Sequence, residues 1–313
     1  MDQAFATPTD LLDDLGVPAA AGVPLAPRTW YRTGGPAALY AQPENPEQLA
    51  AVLEPCHAQQ VPFYVLGAGA NLLVADAGVD GVVLRLDAAG FKTLSITPDD
   101  RRVVAGAGVD LFSLVPATAK AGLDGLVQVA GIPASVGGAV RMNAGGGPGD
   151  VSRGITRVRV MHGDGSIHDL ARADIHFGYR HTDIAAPLIL EAQWQLDAGD
   201  AGQLTELYKT LYARKRDSQP MGDKSAGCCF RNPPGQGPGS ADGATAGMLI
   251  DRAGLKGFRV GGAQVSPLHA NFVTAAPGST TADVLAVMTH VQETVERAYG
   301  VTLQREVVVW DNP

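Results

Sequence analysis

The stretch from Val129 to Gly147, VAGIPASVGGAVRMNAGGG, constrains the fold of this chain more than any other. Six glycines alternate there with small apolar side chains, and Arg141 carries the only charge. Because glycine allows positive φ and close approach of the main chain, successive backbone amides in such a run can converge on a diphosphate. A flexible linker is the alternative interpretation, but Gly/Ser linkers lack core-type residues such as Ile132 and Val140. We therefore expect an ordered, backbone-lined loop.

A second glycine turn, Gly67 to Asn71, directly follows a buried strand predicted at 62–66. Phosphate oxygens commonly meet backbone amides at such a strand end, although an ordinary tight turn fits this piece equally well. The chain has no G-x-x-x-x-G-K-[ST] sequence, and no G-x-G-x-x-G sequence opens a helix after a strand. A nucleotide bound to these loops is therefore held in some other way.

Length and charge limit the class of protein. A chain of 313 residues is too long for one small core and suits two or three lobes. The net charge is −8 and the basic residues are scattered, apart from Arg214 to Arg216, which argues against a nucleic-acid partner. No apolar stretch approaches the ~20 residues of a membrane-spanning helix, and the acidic N-terminus lacks the features of a secretory signal. We expect a cytoplasmic protein with no membrane partner.

The three cysteines indicate neither a disulfide framework nor a metal site. Cys56, Cys228 and Cys229 are odd in number, and the last two are adjacent. No histidine or further cysteine stands near them at the spacing of zinc ligands, so we predict no bound metal.

Caps, periodicity and turn residues predict a chain of mixed helices and strands. We expect an α/β lobe at the start and then a second lobe of mixed or antiparallel sheet that carries the glycine run. A low-complexity segment at 233–243 follows. The predicted helices are 9–15, 46–57, 110–121, 204–216, 246–253 and 282–299. The predicted strands are 37–41, 62–66, 81–86, 102–107, 155–162, 166–170, 188–196, 262–266 and 301–310.

Arg180, Cys228 and Glu306 are reactive or charged residues in three separate regions. Each has an ordinary explanation when taken alone. Arg180 could form an ion pair, Cys228 could pack as a small hydrophobe, and Glu306 could lie at a strand edge.

The motifs around these residues carry a resemblance when they are taken together and in order. They are RTGGPA, LGAGANLL, AGIPASVGGAVRMNAG, FGYR, SAGCCFRNP, AGMLIDRAGLKGFRVGGAQVSPLHANF and REV, between residues 32 and 307. The series resembles the UDP-N-acetylenolpyruvoylglucosamine reductase (UDP-N-acetylmuramate dehydrogenase) family, flavoenzymes of bacterial peptidoglycan and cell-wall synthesis. The short link from Tyr179 to Leu188 resembles the subclass without an extra tyrosine-bearing loop.

The resemblance implies an α+β fold with three lobes. These are a two-lobed FAD-binding domain of the vanillyl-alcohol-oxidase type and a C-terminal α/β domain for the UDP-sugar. On this chain the first lobe would be 1–85, with the tail 301–313 packed back on it. The second lobe would be 86–200 and the substrate domain 201–300.

The resemblance also implies the reaction. NADPH would reduce FAD, and UDP-N-acetylglucosamine enolpyruvate would then be reduced to UDP-N-acetylmuramate. Cys228, which follows Gly227, would be the proton donor. Arg180 and Glu306 would stabilise the enolate-like intermediate. An ordinary cysteine thiol, with a pKa of ~8.5, is protonated at neutral pH and is a stronger acid than a serine hydroxyl.

The binding residues that the resemblance implies fall into two groups. The partners would be the small-molecule substrate and NADPH, and we expect a monomer. The predicted FAD contacts are Gly67, Ala68, Gly69, Ala70, Asn71, Gly131, Ile132, Pro133, Ser135, Gly137, Gly138, Asn143, Ala144 and Gly145. The predicted substrate contacts are Tyr179, Asn232, Lys256, Gln264, His269 and Asn271.

Two other functions compete with this one. The first is another flavin oxidase or dehydrogenase of the same fold, acting on a hydroxy acid or an alcohol. The second is a catalytically silent sensor of a UDP-sugar or nucleotide. The chain also departs from the usual family pattern at Ala70, where serine is common, at His181-Thr182, and at Thr274-Ala275.

Overall fold

The computed structural model describes residues 16–147, 149–234 and 243–311. The predicted helix at 9–15 and most of the low-complexity segment lie outside these residues. The α-helices are α1 (Pro46–Ala58), α2 (Leu111–Lys120), α3 (Val136–Arg141), α4 (Ala201–Ser218), α5 (Ala246–Arg252) and α6 (Thr281–Tyr299).

The strands vary from two residues to eight. In chain order they are β1 (Ala19–Pro24), β2 (Pro36–Ala41), β3 (Phe63–Leu66), β4 (Leu72–Val74), β5 (Val79–Arg85), β6 (Leu94–Thr97), β7 (Arg102–Gly106), β8 (Leu123–Asp124), β9 (Gly145–Gly146), β10 (Gly149–Asp150), β11 (Ile155–Met161), β12 (Ile167–Ala171), β13 (Phe177–Gly178), β14 (His181–Thr182), β15 (Leu188–Gln195), β16 (Asp197–Ala198), β17 (Arg259–Val260), β18 (Ala263–Val265), β19 (Val273–Ala275) and β20 (Val308–Trp310).

The chain divides into two compact units, each made of separate segments. The first unit contains Met1–Val23, Ala37–Ala68 and Asp80–Ala213. The second unit contains Pro24–Pro36, Gly69–Val79 and Arg214–Pro313.

One sheet of the first unit has the strand order β1-β2-β5-β3, with β3 and β5 parallel. Helix α1 follows β2, and its start is fixed as the sequence predicts. The Asn45 side chain accepts a hydrogen bond from the Gln48 amide at 2.8 Å, and Pro46 occupies the first helical position. Leu49 and Leu53 of this helix are fully buried in the core of the sheet.

The other large sheet of the first unit has the order β12-β11-β15-β7-β6, and every pair in it is antiparallel. This confirms the prediction of a mixed or antiparallel sheet beside the glycine run. Trp194 of β15 is fully buried, and its ring nitrogen donates to the Val151 carbonyl at 2.9 Å. Helices α2 and α3 contribute to the same core.

The glycine run is ordered and contains α3, so the linker interpretation is wrong. Val136, Ala139 and Val140 of this short helix are fully buried. The helix is capped by Ser135, whose hydroxyl accepts from the Gly138 amide at 3.4 Å. Burial of the apolar face therefore stabilises a helix that contains two glycines.

The second unit combines the small antiparallel sheet β17-β18-β19 with α5 and α6. Helix α6 begins with a capping box, in which Thr280 and Asp283 exchange side-chain to backbone hydrogen bonds. It ends at Gly300, whose φ of +66° favours glycine. Strand β20 pairs in parallel with β4.

Two strand predictions need correction. The strand predicted at 301–310 is formed only at Val308–Trp310, because the partner strand β4 is itself three residues long. Strand β1, in the Ala-rich lead-in, is absent from the sequence-based expectations because its residues are mostly exposed and do not alternate.

Candidate functional site

A cavity of about 420 Å³ lies within the first unit, at the ends of β3 and β7 and at the start of α3. Its walls combine glycine and alanine of the surrounding turns with apolar and charged side chains. Five of the predicted FAD contacts line this cavity: Gly67, Ala68, Ser135, Gly137 and Gly138. The structure therefore brings together two glycine-rich segments that are about 70 residues apart in the sequence.

Hydrogen bonds fix the start of α3 against the turn after β7. The Val136 amide donates to the Val109 carbonyl at 2.8 Å, and the Gly137 amide donates to the Ala107 carbonyl at 2.9 Å. A Cβ on Gly67 would lie 2.7 Å from the Ser135 hydroxyl oxygen. Glycine at this position is therefore required for the close approach of the two segments.

Positive side chains stand at the edges of the cavity. Arg85 donates to Asp87 at 3.2 Å and also to the Gly67 carbonyl. Arg141 donates to the carbonyls of Ile184, at 2.6 Å, and Ala186. Burial lowers the pKa of the Arg141 guanidinium from its usual value, but arginine stays protonated in proteins.

These features fit the diphosphate of an FAD cofactor. The glycine-lined walls admit a main-chain approach to phosphate, and the guanidinium groups of Arg85 and Arg141 supply positive charge nearby. A volume of about 420 Å³ is in the range of small-molecule sites.

Most residues that line this cavity were not predicted from the sequence. Arg85, Asp87, Lys92 and Asp110 line it but were not among the predicted contacts. One signal could have found the region: the Gly-Ala-Gly after β7, at 106–108, repeats the Gly-Ala-Gly after β3. A Cβ on the last glycine of this second turn would lie 2.2 Å from the Leu86 carbonyl oxygen.

The remaining predicted FAD contacts do not line this cavity. Gly69, Ala70 and Asn71 belong to the second unit. The others lie in the first unit but away from the cavity walls. They are Gly131, Ile132, Pro133, Asn143, Ala144 and Gly145. Their contact with the cofactor stays a prediction.

Replacing Gly138 with valine is expected to remove flavin from the protein while leaving the fold intact. A Cβ at this position comes no closer than 3.4 Å to its nearest neighbour, the Ser135 hydroxyl, so the first unit can accommodate it. The added methyl groups would occupy the cavity that Gly138 lines. The measurement is the ratio of flavin to protein absorbance after reconstitution with FAD, together with the melting temperature.

Gly147→Val is the matched control in the same glycine run. A Cβ on Gly147 meets no described atom within 4 Å, and this residue does not line the cavity. The control should bind FAD as the wild type does. Full flavin content in Gly138→Val would show that this cavity is not the cofactor site.

The predicted residues Tyr179 and Arg180 form the tip of a hairpin in the first unit. Strands β13 and β14 pair antiparallel through Gly178 and His181, which leaves a two-residue turn. Arg180 has a φ of +55°, and its guanidinium carbon lies 5.1 Å from the centre of the Tyr179 ring. Tyr179 is 53% exposed, so its ring is available to a ligand.

Cys228 and Glu306 lie on neighbouring segments of the second unit. The Glu306 amide donates to the Cys229 carbonyl at 2.8 Å, which places Glu306 beside the residue that follows Cys228. Asn271, a predicted substrate contact, holds the same segment from another side. Its side chain accepts from the Phe230 amide at 3.0 Å and donates to the Phe230 carbonyl at 2.8 Å.

Asn71, the last residue of the glycine turn from Gly67 to Asn71, is hydrogen-bonded to the Glu306 segment. Its side-chain amide donates to the Glu306 carbonyl at 3.1 Å, and its carbonyl accepts from the Val308 amide at 3.2 Å. These hydrogen bonds hold the chain at Glu306 and at Val308, where β20 begins to pair with β4. Asn71 therefore has a structural contact with the Glu306 segment, which the sequence did not indicate.

The two adjacent cysteines have different environments. Cys229 is fully buried, and its sulfur lies 3.5 Å from the Tyr31 hydroxyl. Burial raises the pKa of the Cys229 thiol to about 11. Cys228 is half-buried. Only Cys228 of this pair is exposed enough to reach a substrate.

The other predicted substrate contacts of the second unit are half-buried or exposed polar groups near α5. Asn232 accepts from the Ala246 amide at 3.1 Å, and Lys256 forms an ion pair of 2.8 Å with Asp251. The Gln264 side chain donates to the Gly257 carbonyl at 3.2 Å.

His269 stands close to this group as a neutral imidazole. Burial, and to a lesser extent the charge of Lys256, lowers the pKa of His269. Its Nδ1 accepts from the Asn271 amide at 3.2 Å, which leaves Nε2 as the protonated nitrogen and a potential donor to a ligand.

The described ranges contain neither a cluster of metal-ligating side chains nor a helix suited to crossing a membrane. No group of three or more His, Cys, Asp or Glu side chains in them could hold a metal ion. None of the helices found there is long and apolar enough to cross a membrane.

Comparison with known proteins gives consistent matches. Residues 219–310 match the model described as UDP-N-acetylenolpyruvoylglucosamine reductase, C-terminal domain, and residues 37–171 match an FAD binding domain. The UDP-N-acetylenolpyruvoylglucosamine reductase of Heliobacterium modesticaldum is 40% identical over 288 residues, which cover 91% of this chain and 88% of the relative. The enzyme of that name from Paracoccus denitrificans is 41% identical over 289 residues, with 91% and 93% covered.

A solved structure supports the same relationship. The crystal structure of the reductase from Thermus caldophilus superposes with a TM-score of 0.78 at 36% identity, covering 94% of this chain and 99% of that one. Together with the mixed helices and strands, these matches confirm the predicted fold class, an α+β protein with an FAD-binding domain and a C-terminal domain.

Proposed function

This chain belongs to the UDP-N-acetylenolpyruvoylglucosamine reductase family, and from that premise we propose that it reduces UDP-N-acetylglucosamine enolpyruvate to UDP-N-acetylmuramate. The reaction uses NADPH and FAD and supplies a precursor of peptidoglycan. The observation that carries the proposal is a backbone hydrogen bond from the Glu306 amide to the Cys229 carbonyl. This pairing lies within the residues that match the family's C-terminal domain.

The cavity of the first unit would hold the cofactor. Gly67, Gly137 and Gly138 admit its diphosphate, and Arg85 and Arg141 balance the negative charge. FAD held there would supply the transfer of a hydride from NADPH to the methylene carbon of the enolpyruvyl group.

Three side chains would complete the reduction of the double bond. Arg180 and Glu306 would stabilise the enolate-like intermediate that forms on the substrate. A guanidinium offers paired donors to a carboxylate that gains charge in the transition state. Cys228 would donate the proton to the carbon next to the methylene, so that one hydride and one proton add across the bond.

Residues of the second unit would hold the UDP-sugar. Lys256 offers a positive charge, His269 a neutral ring donor, and Asn232 and Gln264 offer side-chain amides. Asn271 and Tyr179 are the other two substrate contacts that we propose. Positive charge and amides suit a diphosphate and a nucleoside.

A turnover assay separates this function from that of another flavin enzyme of the same fold. Purified protein is supplied with NADPH and UDP-N-acetylglucosamine enolpyruvate, and in parallel reactions oxygen is supplied with simple hydroxy acids or alcohols. We expect one NADPH to be consumed for each UDP-N-acetylmuramate that is formed. Oxidation of a hydroxy acid or alcohol, with no reaction of the enolpyruvyl substrate, would contradict the proposal.

The wider setting of the enzyme belongs to the same proposal. We expect it to work as a monomer in the cytoplasm. The lobes would be 1–85, with the tail 301–313, then 86–200 and 201–300. The parallel pairing of β20 with β4 supports the return of the tail to the early part of the chain.

A further inference from the structure

Asn143 and Arg180 both have a backbone conformation that side chains other than glycine rarely adopt. Their φ angles are +41° and +55°. Such conformations persist only where the surrounding structure holds them, and they are concentrated at functional sites. Side-chain hydrogen bonds join the two segments, and in one of them the Thr182 hydroxyl donates to the Arg141 carbonyl at 3.2 Å. The side-chain nitrogen of Asn143 donates to the carbonyl of Gly178 at 2.9 Å.

The turn that carries Arg180 needs support from outside. Strands β13 and β14 contribute only two residue pairs, and a hairpin of that size is not stable by itself. The Gly178 carbonyl immediately precedes the turn residues Tyr179 and Arg180. A bond from Asn143 to this carbonyl therefore fixes the turn at its first residue.

The environment of Asn143 is unfavourable for an amide that serves only packing. The residue is 3% exposed, and its Oδ1 finds no hydrogen-bond donor among the described residues. A buried polar atom without a partner destabilises a fold, so its presence calls for an explanation. Among the described residues, the Asn143 side chain donates to the Gly178 carbonyl, at the start of the turn that carries Arg180.

We propose that Asn143 is a positioning residue for Arg180. Its side-chain amide holds the 178–181 turn in the conformation that presents the guanidinium to the substrate. Asparagine suits this role because it tolerates the left-handed region and also carries an N–H donor. The inference rests on the proposed function, in which Arg180 stabilises charge on the enolpyruvyl group. It adds to the predicted cofactor contact of Asn143 a role that acts through the turn.

Two substitutions separate the hydrogen bond from the backbone conformation. Asn143→Asp keeps the size and the tolerance of positive φ but loses the N–H donor. Asn143→Gly also loses the donor, while it relaxes the backbone. We expect both variants to slow reoxidation of the reduced flavin by saturating enolpyruvyl substrate by about 10- to 100-fold, since small displacements of a catalytic group have effects of this size. The flavin of each variant is fully reduced before mixing, so that the measured rate reports only the step in which Arg180 acts.

Trypsin cleavage provides a readout that does not depend on the flavin. In the apoprotein, cleavage after Arg180 should be several times faster in both variants, because a turn without this hydrogen bond unfolds locally more often and is then accessible to trypsin. Thr118→Val is the matched control. It removes another buried side-chain hydrogen bond of the first unit, which the Thr118 hydroxyl of α2 donates to the Val115 carbonyl at 2.9 Å. This control should be cleaved after Arg180 at the wild-type rate.

The outcomes distinguish this inference from the proposed function. Wild-type cleavage after Arg180 in both Asn143 variants would overturn the positioning role, including the case in which the variants lose flavin. Unchanged reoxidation rates in flavin-loaded variants would overturn it as well. Failure of the wild-type protein to react with the enolpyruvyl substrate would contradict the proposed function, while the cleavage comparison would still decide whether Asn143 holds the turn.

Discussion

Replacing Cys228 with alanine is expected to slow reoxidation of the NADPH-reduced flavin by the enolpyruvyl substrate by ~10²–10⁴-fold, the usual contribution of a positioned general acid. Cys228 directly follows Gly227, and its thiol is half-buried. The next residue, Cys229, accepts a backbone hydrogen bond from Glu306. Alanine removes the proton while preserving the backbone. The loss corresponds to roughly 3–5 kcal/mol in the barrier. Rapid-mixing measurement of the flavin absorbance gives the rate.

The neighbouring cysteine provides the control for this result. Cys228→Ser should retain much of the rate, because the hydroxyl can still donate a proton. Cys229→Ala should have a mild effect on catalysis, since the Cys229 thiol is buried against Tyr31 and its pKa is raised to about 11. Equal rates for Cys228→Ala and wild type would exclude Cys228 as the donor.

Removing charge at Arg180 or Glu306 should affect the second half-reaction and spare the first. We expect Arg180→Gln to slow reoxidation by ~10²–10³-fold, the effect seen when one donor to a developing anion is lost. Glu306→Gln should slow the same step. Reduction by NADPH should be nearly normal. Arg180→Lys should remain well below wild type, because lysine keeps the charge but not the paired donors.

A surface arginine of the same unit provides the comparison. Arg153→Gln removes an exposed guanidinium that forms ion pairs with Asp124 and Asp197, and it should leave both half-reactions unchanged. If Arg180→Gln or Glu306→Gln kept its flavin but could no longer be reduced by NADPH, the assignment to the second half-reaction would be wrong.

The elements with strong local signals were predictable from the sequence. Helix α1 has Asn45 and Pro46 at its start, α2 has Asp110 as its cap, and α6 shows regular apolar spacing. In each of these helices the cap and the buried face agree, so the local sequence is sufficient. The hairpin of β11 and β12 was likewise marked by its Asp-Gly turn at 164–165.

The elements that depend on distant partners were not predictable in the same way. Helix α3 contains two glycines and forms because Val136 and Val140 are buried. Strand β20 is limited to the three residues that find β4. Local propensity carries no information about either partner.

The candidate site shows the same division. The glycine turn at 67–69 and the glycines at 137–138 were recognisable because glycine permits close backbone approach. Arg85, Lys92 and Asp110 join them only in the folded chain, so no local pattern marks these three side chains as site residues. The assignments of Arg180, Cys228 and Glu306 come from the family resemblance, since each residue alone has an ordinary explanation.

The absorption spectrum of the purified protein, recorded without oxygen, decides whether the proposed reaction takes place. We expect a yellow protein whose flavin band is bleached by NADPH. One equivalent of UDP-N-acetylglucosamine enolpyruvate should then restore the band, with one equivalent of UDP-N-acetylmuramate formed. A flavin that is reduced by NADPH but is not reoxidised by this substrate would show that the protein does not catalyse this reaction.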